Sequence, residues 1–342
     1  MKKSTPNISI SKVAKEARVS IATVSRVLHK HPSVKATTAR KVQAVIQDLG
    51  YKPGKHSSPR NPRQNRSPLL KHHTVLLLWT GGRAHTGQQL QEGVATAMRR
   101  HNINLIVDYI TDNWTPPPVL RQGQIDGILL HGPPLTPKYR KFLSKFPAVW
   151  LYYQGGSEWG DRVQPDHRLV GQLALQYLIK QDCSNLCVAS YAPTSDTHTY
   201  HTERSDAFQQ AAHLHGYECQ TIGHSLPQPK SQRGLYEFTS KIIENFLSLP
   251  NQPDGLFVAN DLCANVHDQL IRNNITPMKD VILVGSDCDN IADQRHLEPP
   301  PVMFDINAYT VGQLAVQLLL TRISLPNLPR MTQLIEPEIL IP

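Results

Sequence analysis

Arg26 closes a short run, Ser20-Ile21-Ala22-Thr23-Val24-Ser25-Arg26, whose residue types suit contact with nucleic acid. On a helix, Val24, Val27 and Leu28 face inward, while Ile21, Ala22, Ser25 and Arg26 fall on the opposite, solvent side. A short helix with small and basic residues outside, in a basic context, is a candidate recognition helix for the major groove of double-stranded DNA. Other constellations carry less. His198-x-x-His201 and His213-x-His215 have spacings a metal can use, but no nearby cysteine or carboxylate completes a site. Cys183-x3-Cys187 straddles a turn and reads as two unpaired thiols. No nucleophile–base set, nucleotide-binding glycine loop or H-E-x-x-H run is present, so no enzyme, metal or cofactor is expected.

The basic context is local. Residues 1–72 carry 16 Lys+Arg against two acids, Glu16 and Asp48, a charge of +14. The 342-residue chain as a whole is +9, which leaves −5 for the rest. A concentrated basic block on a mildly acidic body is the footprint of a nucleic-acid-binding head; a solvated basic tail is the plainer alternative.

Composition narrows the class. Apolar residues at 39% and charged residues at 18% are ordinary for a globular protein of two or three domains. The apolar run Val75–Trp79 is far short of the roughly 18 residues a membrane span needs. Polar residues follow the two N-terminal lysines where a signal peptide would be apolar. Five cysteines, an odd number with no CxxC, argue against a disulfide framework. A cytoplasmic chain with no membrane partner is expected.

The recognition helix needs neighbours to hold it. Ser9 can cap a first helix with Ile10, Val13, Ala14 and Ala17 on one stripe. Arg18-Val19 breaks it, Ser20 can cap the second, and Val42, Val45, Ile46 and Leu49 stripe a third that ends at Gly50. Residues 1–51 therefore read as an all-α helix-turn-helix head. Residues 52–72, dominated by Pro, Ser and basic side chains, read as an exposed tether.

Residues 73–342 alternate strand and helix. Strands are expected at 74–79, 104–109, 126–130, 148–152, 185–190, 218–222, 255–258, 281–284 and 302–304. Helices are expected at 87–100, 166–180, 202–215, 233–247, 261–273 and 307–323. This rhythm implies two doubly wound α/β lobes with parallel sheets, and ligands in such sheets sit beyond the carboxyl ends of strands, here between the lobes.

The string Ile10-Ser-Lys-Val-Ala-Lys-Glu-Ala-Arg-Val-Ser-Ile-Ala-Thr-Val-Ser-Arg-Val-Leu28 closely resembles the DNA-binding head of the LacI/GalR family of bacterial repressors. The likeness continues through Val34, Thr38 and Val42 to Gly50-Tyr51-Lys52-Pro53, with departures at Lys12, Lys35 and Ala39. The resemblance places base readers at Ile21, Ala22 and Arg26 and phosphate contacts at Ser20, Thr23 and Ser25. Arg26 could then donate two hydrogen bonds to guanine O6 and N7. It also implies a homodimer on a palindromic operator. The linker departs most. Gly54 stands where the family has Asn, and Pro59 and Pro62 would break the family's short hinge helix. Arg60, Arg63 and Arg66 can instead line the minor groove as an extended arm, or act as a diffusely charged spacer.

The body resembles the family's effector domain, which has a periplasmic-binding-protein-like fold. The anchors are Ile125-Asp126-Gly127-Ile128-Leu129, Val163-x-x-Asp166 with Gly171, Arg204 with Ala207-Phe208, Asn260-Asp261, Gly285-Ser286-Asp287-Cys288-Asp289, and Gly312. By resemblance, Asp166, Arg204, Asn260 and Asp287 point into the cleft and suit a sugar: a carboxylate accepts from vicinal hydroxyls and an arginine fork donates to them. A helix cap or an interlobe salt bridge is the other use for these four. Trp79 and Trp150 are candidates to face a sugar ring, with core packing the simpler role. The expected function is a sugar-gated transcription repressor. A purine- or other metabolite-responsive regulator, or an architectural DNA binder with a vestigial cleft, are the rivals.

Overall fold

The computed structural model describes residues 10–28, 34–49, 70–80, 87–111, 113–132, 135–152, 159–190, 200–223, 232–286 and 297–341. The chain divides into two compact units, Met1–Gln64 and Asn65–Pro342.

The first unit holds α1 (Ile10–Ala17), α2 (Ile21–Leu28) and α3 (Ala36–Asp48). Helices this short are marginal alone and depend on shared burial. Val13, Ala14 and Ala17 of α1, Val24 and Val27 of α2 and Val42 of α3 supply it, with Val45, Ile46 and Leu49 packed against them. Arg18 turns the chain out of α1 at φ 52°, while the Val19 N–H donates to Ala14 O at 3.0 Å. That is a left-handed C-cap, a position glycine usually fills. Ser20 then caps α2, its Oγ accepting from the Thr23 N–H at 3.1 Å. The caps expected at Ser9 and Gly50 fall outside the described residues.

The second unit is built around two sheets. The chain runs through β1 (Thr74–Thr80), α4 (Gly87–Arg100), β2 (Asn104–Ile110), α5 (Pro118–Arg121), β3 (Gly127–His131), α6 (Pro137–Leu143), β4 (Ala148–Leu151) and β5 (Asp161–Pro165) to complete most of one lobe. The second lobe follows with α7 (His167–Lys180), β6 (Leu186–Ala189), α8 (Tyr200–Leu214), β7 (Cys219–Ile222), α9 (Gln232–Leu247), β8 (Gly255–Val258), α10 (Cys263–Arg272), β9 (Ile282–Ser286) and β10 (Val302–Asp305). Helix α11 (Ala308–Ser324) and β11 (Thr332–Ile335) return to the first lobe, and β12 (Glu338–Leu340) joins the second. The sheet orders are β11-β5-β4-β3-β1-β2 and β12-β10-β9-β8-β6-β7. Every pairing is parallel except β12 on β10, an antiparallel edge the rhythm did not foretell. Inner strands β4, β6 and β8 are buried at every residue and β3 at all but His131, as parallel strands covered on both faces must be.

The lobes share a device. An Asp-Gly pair precedes the third strand of each. Asp126 accepts from the N–H groups of Lys71, His72 and Thr74 at 2.7–3.2 Å, and Asp254 from those of Ser184 and Asn185 at 2.9–3.0 Å. Each carboxylate thus ties the segment entering its lobe's first strand, β1 or β6. Helix pairs close in on glycines. A Cβ on Gly312 of α11 would lie 2.3 Å from Leu90 O of α4, and one on Gly171 of α7 would lie 2.3 Å from Arg204 O of α8.

Three segments cross between lobes, and they are bonded to one another. The Asp166 N–H, between β5 and α7, donates to Ile335 O at 2.8 Å. Asn307, between β10 and α11, donates through Nδ2 to Glu336 O at 3.0 Å and through its N–H to Asp305 Oδ1 at 2.7 Å. Its φ of 57° lies in the left-handed region that Asn tolerates better than most residues. Near this junction, burial raises the Asp305 pKa; the Asn307 N–H opposes the shift and Glu338, its partner in the β10–β12 register, adds to it. A raised carboxyl destabilises the fold above its folded pKa, and the penalty vanishes as pH falls through the ordinary carboxylate range. Asp305→Asn is therefore expected to raise the body's thermal midpoint at neutral pH and to leave it unchanged near about pH 3. Unfolding scans at the two pH values check this.

Candidate functional site

In the head, α2 presents its outer face. Ile21 is 50% exposed, more than a packing role against α1 would leave. Arg26 is exposed and makes no hydrogen bond or ion pair among the described residues; in particular it does not pair with Glu16. Thr23 is half-buried, its Oγ1 hydrogen-bonded to Ser20 Oγ at 2.9 Å, which holds both hydroxyls at the start of α2. Ala22 and Ser25 lie on the same helix. An unpaired guanidinium one turn beyond a serine-capped helix start can reach a base edge without first breaking a protein contact. Arg60, Arg63 and Arg66 fall outside the described residues.

In the body, polar groups gather at the carboxyl ends of strands from both lobes. Arg204 on α8 is wholly buried. Its Nη1 donates to Ala259 O, just past β8, at 3.2 Å and to Ser286 Oγ at the end of β9 at 3.0 Å. Its Nε and Nη2 lie 3.2 and 3.1 Å from His167 Nδ1, and its guanidinium stacks over Tyr200 at 5.3 Å. Burial, then the Arg204 charge and His201, push the His167 pKa well below the ordinary imidazole value, so the ring is neutral. Rings continue across the lobes. Tyr152, just past β4, lies 6.1 Å from His167 and 5.5 Å from His131, and His131 lies 4.3 Å from Trp79. Burial lowers the His131 pKa to about 4.

The four expected cleft residues divide. Arg204 donates to Ala259 O just past β8, and the next residue, Asn260, is fully buried and accepts from the Leu262 N–H at 3.3 Å. Asp166 is the N-cap of α7: its Oδ1 accepts from the Leu169 N–H at 2.9 Å, the helix-cap role weighed for it. Asp287 lies outside the described residues. Trp150 is core, wholly buried, its Nε1–H donating to Trp159 O at 2.8 Å. Trp79 is also buried in the core, and it joins the ring series as well. Cys183 and Cys187 are free thiols, as expected, and burial raises both pKa values. Among the described residues there is no group of three metal-ligating side chains, and no helix is long and apolar enough to cross a membrane.

Sequence reasoning passed over His167, Ser286, Tyr152 and Tyr200. The available signals were adjacency alone, since His167 follows Asp166 and Ser286 precedes Asp287. The α7–α8 crossing at Gly171 sets where Arg204 sits. Gly171→Ala would drive a methyl group into Arg204 O and Phe208 N, so the helices must part. The expected cost is about 1–3 kcal/mol of body stability, with ligand response lost and DNA binding kept. Thermal unfolding and fluorescence anisotropy read the two effects separately.

Residues 9–54 match the family model described as bacterial regulatory proteins, lacI family, and residues 175–342 match a periplasmic binding protein-like domain. The ribose operon repressor of Escherichia coli is 26% identical over 335 residues, covering 92% of this chain and 93% of its own. The HTH-type transcriptional repressor PurR of Vibrio campbellii is 24% identical over 352 residues, covering 97% of each. The solved lac repressor dimer bound to operator and an anti-inducer shares the fold, with a TM-score of 0.62, 16% identity and 98% of each chain covered. The head matches in its motif, the body in its two-lobed fold, and the repressor relatives over more than nine-tenths of the length: the chain carries a lacI-family helix-turn-helix domain followed by a periplasmic binding protein-like domain.

Proposed function

We propose that the chain is a homodimeric transcription repressor of carbohydrate-related genes, released from or tightened on a palindromic operator by a sugar bound between the lobes of its body. The observation that carries this reading is the pairing, in one chain, of an exposed Arg26 on a helix-turn-helix head with a buried Arg204 cluster at the strand ends of a two-lobed body. In this reading residues 1–51 are the DNA-binding head, 52–72 the linker and 73–342 the effector-binding and dimerisation domain. Ile21, Ala22 and Arg26 read base edges, and Ser20, Thr23 and Ser25 hold phosphates. Arg60 and Arg63 line the minor groove. Asp166, Arg204, Asn260 and Asp287 form the polar wall around the sugar.

One head offers one reading helix, too little to single out a rare site; two heads read half-sites about one helical turn apart. The repressor relatives support a regulatory role over a catalytic one, and a role on DNA supports a cytoplasmic location. The ribose operon repressor supports a sugar as effector. The test is selection of bound fragments from sheared genomic DNA by the full chain. Recovery of a two-fold-symmetric site, with half-sites spaced by about 10 base pairs, is expected. Enrichment that tracks A·T content alone, with no symmetric motif, refutes the reading in favour of an architectural binder.

A further inference from the structure

The two lobes repeat one architecture with opposite charge. Residues 73–165, most of the first lobe, carry nine Lys+Arg and six acids, whereas residues 166–306, most of the second, carry nine and 17. The basic side chains of the first lobe gather at one end of its sheet. Strand order sets the segments that enter its strands side by side: Lys71 ahead of β1, Arg99 and Arg100 ahead of β2, Arg121 ahead of β3, and Lys141 and Lys145 ahead of β4. Backbone bonds fasten these entries together, from the Asn104 N–H to His73 O at 2.7 Å and from the Ile128 N–H to Pro147 O at 2.9 Å. All six side chains are exposed. Among the described residues, the two carboxylates at this end are engaged elsewhere. Asp126 accepts from the backbone N–H groups of Lys71, His72 and Thr74, and Asp161 is buried against Arg322.

Lysine and arginine near helix C-termini have a plain use, since they complement the helix dipole. The second lobe shows that this use does not dictate the pattern. At the same end of its sheet stand Asp182 ahead of β6, Glu218 ahead of β7, Asp280 ahead of β9 and Glu298 ahead of β10, all exposed. Set against them are Lys180, Lys279 and an Arg272 already paired with Asp268, and α9 has no basic residue in its last turn. The basic end is also where the chain arrives from the head, because Lys71 leads directly into β1. A duplex held by the head is thereby tethered to this end of the body at high effective concentration. Resting on the DNA-binding reading of the head but adding a second contact to it, we infer that the strand-entry end of the first lobe is a phosphate-binding face for the same duplex. Six strands about 4.8 Å apart make a face about 24 Å wide, the rise of about seven base pairs at 3.4 Å each. Contacts to phosphate add affinity and salt dependence and no choice of sequence.

Anisotropy titrations of the full chain on a random-sequence duplex, across a salt series, test this. Arg100→Gln, Arg121→Gln and Lys145→Gln together should weaken binding by about tenfold or more at low salt. They should also flatten the slope of log affinity on log salt by about two, since each lost phosphate contact removes roughly 0.9. Arg100→Lys with Arg121→Lys and Lys145→Arg keeps the charges and should bind within about threefold of wild type. Lys180→Gln, Lys241→Gln and Lys279→Gln remove the same charge from the second lobe and should also stay within about threefold, with the slope unchanged. Urea unfolding followed by tryptophan fluorescence checks that the body of each variant is folded. Equal losses from the two glutamine triples would reduce the effect to net charge and overturn the inference. A first triple that matches wild type in affinity and slope would overturn it too, and both results leave the repressor reading intact. A wild-type chain that binds no duplex overturns the two together.

Discussion

Arg322→Leu is expected to destabilise the body by about 3–5 kcal/mol, the range for removing one partner from a buried ion pair. Arg322, near the end of α11, grips Asp161 at the start of β5 with two parallel bonds, Nη2 to Oδ1 at 2.7 Å and Nε to Oδ2 at 2.8 Å. Its remaining donors go to the carbonyls of Pro326, Leu328 and Pro329, and Asp161 Oδ1 also accepts from the Met331 N–H at 2.8 Å. One guanidinium thereby fixes α11, β5 and the turn leading into β11. Leucine would leave the fully buried Asp161 carboxylate with a single backbone donor. Arg322→Lys keeps the charge without the fork and should lose less. All four tryptophans, at 79, 114, 150 and 159, lie in the body, so tryptophan fluorescence during urea unfolding follows this unit alone. A loss under about 1 kcal/mol would show that the pair is solvated and incidental.

Arg26→Ala is expected to cost about 1–3 kcal/mol of operator affinity, roughly 5- to 150-fold, with little loss on random DNA. The side chain is exposed on α2 and makes no hydrogen bond or ion pair among the described residues, so the change should report on DNA. Anisotropy titrations on operator and scrambled duplexes at one salt concentration measure it. Equal losses on both would make Arg26 a phosphate contact, and the slope of log affinity on log salt should then fall by about one.

Long amphipathic helices and apolar inner strands were legible because burial alone decides them. Helix 87–100 and strand 255–258 match residue for residue. β5, β11 and β12 were not legible. β5 is Asp-Arg-Val-Gln-Pro, paired on both sides, and β11 and β12 are half-buried or exposed edge strands, so sheet pairing fixes all three and no apolar run announces them. Ligand chemistry was half legible. The resemblance pointed to Arg204, and the structure surrounds it with His167, Ala259 and Ser286. His167 could not be read in advance. A histidine at a helix start is ordinary until Arg204, 37 residues away, fixes its tautomer. Asp166 carries the converse lesson, since a carboxylate at a helix start serves the backbone first. The Asp161–Arg322 clamp spans 161 residues and had no local signature.

A sugar-type ligand in the body is expected to change what the head does. Coupling of this kind equals the difference in the ligand's affinity for the two lobe arrangements. Operator affinity of the full chain, measured with and without saturating ligand from a panel of neutral and acidic sugars, tests it most directly. One ligand should shift the operator dissociation constant by about 5- to 150-fold, in either direction, and Arg204→Met should keep operator binding and abolish the shift. An operator affinity unchanged by every sugar that binds the body would contradict it.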